Sequence, residues 1–114
     1  MADCLFCRIV AGEIPATIVK RTDDGVAFRD IDPRAPTHVL VIPTTHIPAV
    51  RDAGPGDDAL LGGLLRFATQ VATELGLDAG GYRIVTNTGR DAGQSVDHLH
   101  FHVLGGRKLT WPPG

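Results

Sequence analysis

"DHLHFHVL", residues 97–104, places histidine at 98, 100 and 102 and apolar side chains at 99, 101 and 103. A period of two belongs to a β-strand with unlike faces. The spacing predicts a strand over 98–104 on which the three imidazoles line one face at intervals of about 6.6 Å. Leu99, Phe101 and Val103 then face a core. Imidazole can serve near neutral pH as a neutral nucleophile, a hydrogen-bond donor or a metal ligand, so three in a row mark a shared site. At this point the residues leave both metal ligation and nucleophilic catalysis open.

Around this strand the chain reads as alternating short elements. Tyr82 to Thr86 is a second strand, separated from the first by the glycine-rich "NTGRDAGQS". Further strands are predicted at Thr17–Lys20, Val26–Asp30 and His38–Ile42, with turn chemistry in "TDDG" and "DPRAP" between them. From a cap at Asp57 or Asp58, the residues Leu61, Leu64, Leu65, Ala68, Val71, Ala72 and Leu75 recur at three and four, the period of a half-buried helix that Gly76 can end. A short first helix capped by Asp3 sets Leu5, Phe6, Ile9 and Val10 on one face. The order α-β-β-β-α-β-β predicts an α+β fold, a single antiparallel sheet of about five strands with two helices.

Composition narrows the function. At 114 residues and 43% hydrophobic content, the chain is expected to be a single domain over 1–114, with 109–114 as a C-terminal tail. Lysines and arginines are scattered under a net charge of −2, which offers no basic stripe and argues against nucleic acid as a partner. The longest aliphatic run, Val39 to Ile42, is far too short for a bilayer, and "MADCLFCRIV" lacks a secretory pattern. No membrane partner is expected, and the location is expected to be cytoplasmic. In that reducing setting "CLFC", Cys4 and Cys7, has the spacing of two zinc ligands. Two more would come from among His38, His46 and one triad histidine. Unliganded thiols and a redox pair are the competing readings, although a redox C-x-x-C would follow a strand in a βαβ unit.

"HLHFHVL" fits the pattern His-φ-His-φ-His-φ-φ, with φ apolar, and it is preceded by "GQSV" and followed by "WPPG". With "EIPATIV", "AFRDIDPRAPTHVLVIPTTHI" and "GYRIVTNTG", the chain resembles the histidine-triad (HIT) superfamily nearly end to end. Within it, the chain resembles the Hint branch of nucleoside phosphoramidases, in the bacterial zinc-binding type. The resemblance implies hydrolysis of the P–N bond of a purine nucleoside 5′-phosphoramidate. His100 would be the nucleophile forming a nucleotidyl-histidine, His102 a donor to the phosphate and Ser95 a donor to the leaving group. It further implies nucleotide contacts from Asp30 to the ribose and from Asn87 near the sugar and phosphate. Gly93 and Gln94 would contribute from the loop, Phe28, Ile31 and Ile14 would wall the base, and Trp111 of a partner chain would face the leaving group.

The same resemblance implies a structural Zn2+ on Cys4, Cys7, His46 and His98. This requires the metal at the start of the His98 strand, clear of the chemistry on His100, and leaves His38 as a buried supporting group. It implies a two-fold homodimer whose sheet continues across the axis. Gly62 and Gly63, each costing roughly 1 kcal/mol inside a helix, would allow a second backbone to approach. Arg29 and Asp97 depart from the pattern, which commonly has histidine and an aromatic residue there. Other HIT branches would instead give a dinucleoside polyphosphate hydrolase or a nucleotidyl transferase. A nucleotide-binding interaction module and a zinc hydrolase using all three triad histidines complete the alternatives.

Overall fold

The apolar run "HVLVIP" can be buried on both faces only at the centre of a sheet. In the computed structural model, which describes residues 3–114, it forms the central strand β3 (Thr37–Pro43), buried at every position after the first. β2 (Gly25–Arg29) pairs antiparallel on one side, with Val26 opposite Ile42 and Phe28 opposite Leu40. β5 (Phe101–Gly105) pairs antiparallel on the other, with Leu40 opposite His102. β1 (Ile18–Arg21), which bulges between Ile18 and Lys20, and β4 (Tyr82–Val85) are the edges, giving the order β1-β2-β3-β5-β4. The fold is therefore α+β: one five-stranded antiparallel sheet and two helices.

The helices take opposite faces. α2 (Asp58–Glu74) lays Leu64, Phe67, Ala68, Val71 and Ala72 against Ala27, Val39, Val41, Leu99, Phe101 and Val103. α1 (Leu5–Val10) lays Phe6 and Ile9 against Val26, Phe28, Leu40 and Ile42. Alternating residues of β2 and β3 thus feed two separate apolar clusters, and the histidines emerge on the α1 side.

Three local expectations are corrected, and the cap of α2 stands in place with a different bond. The N-cap of α1 is Cys4, whose sulfur accepts the Cys7 N–H at 3.4 Å, and not Asp3. Asp57 does occupy the cap position of α2, but its carboxylate accepts from Gly54 N at 2.9 Å and closes the preceding turn. Leu65 is 44% exposed, while Phe67, outside the periodic set, is buried with Leu64, Ala68, Val71 and Ala72 on the face turned to the sheet. The last strand begins at Phe101, so His98 and His100 precede it. The chain bends through 96–98, and Leu99 N donates to Ile47 O at 2.6 Å outside the ladder. No helix among the described residues is long and apolar enough to cross a membrane.

Candidate active site and metal cluster

The bend before β5 gives the first triad histidine different work from the other two. His98 is fully buried, and because a carbonyl can only accept, its Nε2–H donates to Pro43 O at 2.9 Å. Its Nδ1 lone pair is left facing Cys4 Sγ at 3.3 Å and Cys7 Sγ at 3.5 Å. His46 Nδ1 lies 3.2 Å from Cys7 Sγ, and the four donor atoms all fall within 4.8 Å of one another. A tetrahedral zinc at ordinary bond lengths would set a sulfur and a nitrogen roughly 3.6 Å apart. The donors are close enough to hold a metal ion, and two thiols with two imidazoles are compatible with zinc. Burial, then the neighbouring Cys4, pushes the Cys7 thiol up. Burial pushes His98 down. Both shifts favour the neutral Cys7 thiol and the His98 lone pair, and a bound cation would displace the thiol proton.

The other two rings have their tautomers set by neighbours. His100 Nδ1–H donates to His98 O at 2.7 Å, leaving its Nε2 lone pair free. His102 is fixed through His38, which is 5% exposed. Arg34 N–H donates to His38 Nδ1 at 3.0 Å, so neutral His38 carries its proton on Nε2. That N–H meets His102 Nδ1 at 2.9 Å and Asp30 Oδ2 at 3.4 Å. Accepting there, His102 carries its own proton on Nε2. Burial lowers His38, and burial reinforced by His100 and His38 lowers His102 to about 4, so both are neutral at pH 7. Asp30, His38 and His102 also cluster closely enough for a cation, yet a metal on His38 Nε2 would force a proton onto Nδ1, against the Arg34 N–H. The cluster is a hydrogen-bonded chain.

His100 and His102 open into a cleft of about 330 Å³ that brings together Ser95, Asp30, Phe28, Ile31 and Ile14. Asp30 is held by its Oδ1, which accepts Asp32 N–H at 2.8 Å; Ile31 is 99% exposed at the mouth. Arg29 also borders this cleft, while Asp97 lies in an adjoining one that shares Ser95 and Val96 with it. Sequence reasoning missed the wall contributed by Leu5, Phe6 and Ile9 of α1. Their helical period read as core, and only the fold shows that their face meets the histidines. Phe6 stands edge-on to His100 at 5.2 Å and to His98 at 5.9 Å.

Four predicted residues lie outside the cleft lining. Asn87 is half-buried just beyond Thr86, whose hydroxyl donates to His100 O at 2.9 Å. Gln94 uses its whole amide internally: Oε1 accepts Gly89 N–H at 2.9 Å, and Nε2 donates to Pro48 O at 2.7 Å and Val96 O at 3.0 Å. It braces the loop instead of presenting a free group. Gly93 and Gly89 adopt φ of 83° and 84°, which is why glycine occupies these turns. Trp111 is 81% exposed, on a tail held by Arg83 donating to Thr110 O at 2.9 Å.

The chain is similar to known proteins over nearly its whole length. An uncharacterised HIT-like protein of Synechocystis is 49% identical over 112 residues, 98% of this chain and 97% of the relative. A HIT family hydrolase from Legionella pneumophila superposes with a TM-score of 0.96 at 50% identity, covering 98% of this chain and all of that one, 100%. A histidine triad nucleotide-binding protein from Candida albicans gives a TM-score of 0.83 at 34% identity, over 96% of this chain and 83% of that one. The HIT domain family profile matches residues 11–109, and with these likenesses the chain belongs to the HIT domain family.

Proposed function

We infer that the protein hydrolyses the P–N bond of purine nucleoside 5′-phosphoramidates through a nucleotidyl-histidine on His100. The observation that carries this reading is the 2.7 Å bond from His100 Nδ1–H to His98 O, which leaves a neutral Nε2 lone pair at the cleft. His100 Nε2 attacks the α-phosphorus; the P–N bond breaks and its electron pair leaves with the amine, which takes a proton. Ser95 hydrogen-bonds the departing nitrogen. His102 Nε2–H donates to a phosphoryl oxygen where charge develops. Water then attacks the nucleotidyl-histidine, returning the pair to Nε2 and releasing the nucleoside monophosphate. Asp30 accepts from the ribose hydroxyls, and Phe28, Ile31 and Ile14 wall the base. Asn87 and the Gly93–Gln94 loop bound the phosphate side.

Zn2+ on Cys4, Cys7, His46 and His98 would supply a cross-link between α1 and the segments around residues 46 and 98, with no open position for substrate. The working unit is a homodimer joined through α2 and β4, where Gly62, Gly63 and Leu65 are exposed and, among the described residues, one edge of β4 has no partner strand. In it Trp111 would reach the other cleft. The likeness to a named nucleotide-binding protein supports the substrate class. The test compares specificity constants for adenosine and guanosine phosphoramidates with those for diadenosine polyphosphates. Acid-quenched mixtures are examined for a nucleotide-modified His100 peptide. Preference for the polyphosphates would assign the chain to another HIT chemistry, and absence of turnover on both would favour a binding module.

A further inference from the structure

His98 serves two masters: its Nδ1 belongs to the cysteine cluster, and its carbonyl holds the His100 proton. Phe6, between the two cysteines in sequence, packs edge-on against both rings and is 4% exposed. The helix that carries Phe6 is six residues long and is capped by Cys4 itself. Cys4 lines the open cleft beside Ser95 and Asp97, and Cys7, half-buried like Cys4, lies 3.2 Å from His46, which borders the same cleft. Cys4 is thus the thiol that a small molecule in this cleft touches.

We propose that Cys4 and Cys7 are a thiol oxidation site at which a small disulfide of the glutathione class forms a Cys4–Cys7 bridge, dismantling the metal cluster and loosening the hold of His98 and Phe6 on His100. Cys4 Sγ attacks the glutathione disulfide, forming a mixed disulfide and releasing one glutathione thiolate, which takes up a proton. Cys7 Sγ then attacks the Cys4 sulfur and expels the second glutathione. Two electrons pass from the protein thiols to the glutathione disulfide. Positions i and i+3 in a first helical turn bring Cα atoms within roughly 5–6 Å, inside the range a disulfide spans. Once the sulfurs bond to each other, they no longer serve His46 and His98, and Cys4 no longer caps the helix. Of its ring's polar partners His98 then keeps Pro43 O. The carbonyl that orients the nucleophile loses one of its two anchors.

The consequence for turnover rests on the reading of His100 as nucleophile, so the experiment also carries readouts that need no substrate. Zinc-loaded protein is titrated with glutathione disulfide and followed by a chromogenic chelator, intact mass, the histidine ring NMR signals of His100, and kcat with KM. The expected result is release of metal in step with the loss of two hydrogens, a shift of the His100 ring signals, and a fall in kcat of about ten- to a hundredfold. Dithiothreitol with added zinc should restore all of them. A Phe6→Leu variant should keep its metal and show a smaller oxidation-dependent change in kcat. A bridge that leaves the His100 signals unmoved overturns the coupling, whatever the substrate proves to be. Persistence of the mixed disulfide at Cys4, or metal retained under excess glutathione disulfide, overturns the site. Ring signals that shift without any turnover to lose would leave the oxidation site standing and refute the phosphoramidase reading.

Discussion

Replacing His38 tests whether the site depends on a fixed arrangement of protons. His38→Ala removes the ring that accepts from Arg34 N–H and donates to His102 Nδ1. Leaving such a partner unsatisfied costs about 1–3 kcal/mol, and with lost packing the total should be roughly 2–4 kcal/mol. In a domain of this size that lowers Tm by roughly 8–16 °C. The catalytic loss is separable. Without the His38 proton, His102 can adopt the other tautomer and point a lone pair at the phosphate, so kcat should fall about 10²- to 10³-fold, as when an oxyanion donor is removed. Affinity for nucleoside monophosphate should change far less than kcat, since the base walls are elsewhere and only Asp30, 3.4 Å from the lost ring, borders the change. His38→Gln is the informative partner. Its carbonyl can accept from Arg34 and its amide can donate to His102, so it should recover most of the kcat while removing a titratable ring. Steady-state kinetics below both melting temperatures and a thermal melt decide the matter. Equal kcat for the alanine and glutamine variants would refute the proton-ordering argument.

Other outcomes follow from the same geometry. His100→Ala should fold, bind nucleoside monophosphate and lose about 10⁴-fold or more in turnover; substantial residual activity in a single-turnover assay would defeat the covalent mechanism. Acid should destabilise the protein as pH falls from about 6.5 toward 4. The unfolded chain takes up protons there that half-buried His102 does not, an effect worth up to about 3 kcal/mol for that residue alone. His38 and His98 act in the same direction, and a Tm independent of pH over this interval would contradict it. Chelation or Cys4→Ser should lower Tm and release metal, and elemental analysis showing no zinc in protein purified without chelator would count against the cluster. Deleting residues 109–114 should alter discrimination among phosphoramidates with different amines far more than affinity for the monophosphate; equal losses for bulky and unsubstituted amines would reject Trp111 as a specificity element.

The sequence made the sheet legible because β3 and β5 carry unambiguous patterns, one apolar throughout and one alternating. What it concealed was where the alternation stops being a strand. "HLHFHVL" keeps a period of two over seven residues, but periodicity cannot register that Leu99 bonds to Ile47 instead of to the ladder. That departure turns His98 toward the sulfurs and resolves how one triad histidine can serve a metal without crowding the nucleophile. Phe6 and Ile9 were legible as an apolar face, yet a face does not say what it covers. His38 was legible as buried, but its proton follows from an Arg34 backbone N–H that no motif records. The tail remained ambiguous for a simpler reason: in a single chain Trp111 stands 81% exposed.

The central pairing of the sheet joins distant parts of the chain. His38 and His102 meet across 64 positions, and β3 cannot pair with β5 until α2 and β4 have been passed over. Closing so long a loop comes late, because local turns and helices form at far lower entropic cost. The hairpin of β2 and β3 and the helix α2 can therefore exist in partly folded chains that have no aligned histidines at all. Such chains would be silent toward nucleotides. During refolding, the return of turnover should lag the return of helical signal, which makes the enzyme's own activity a clock for the final closure of its sheet.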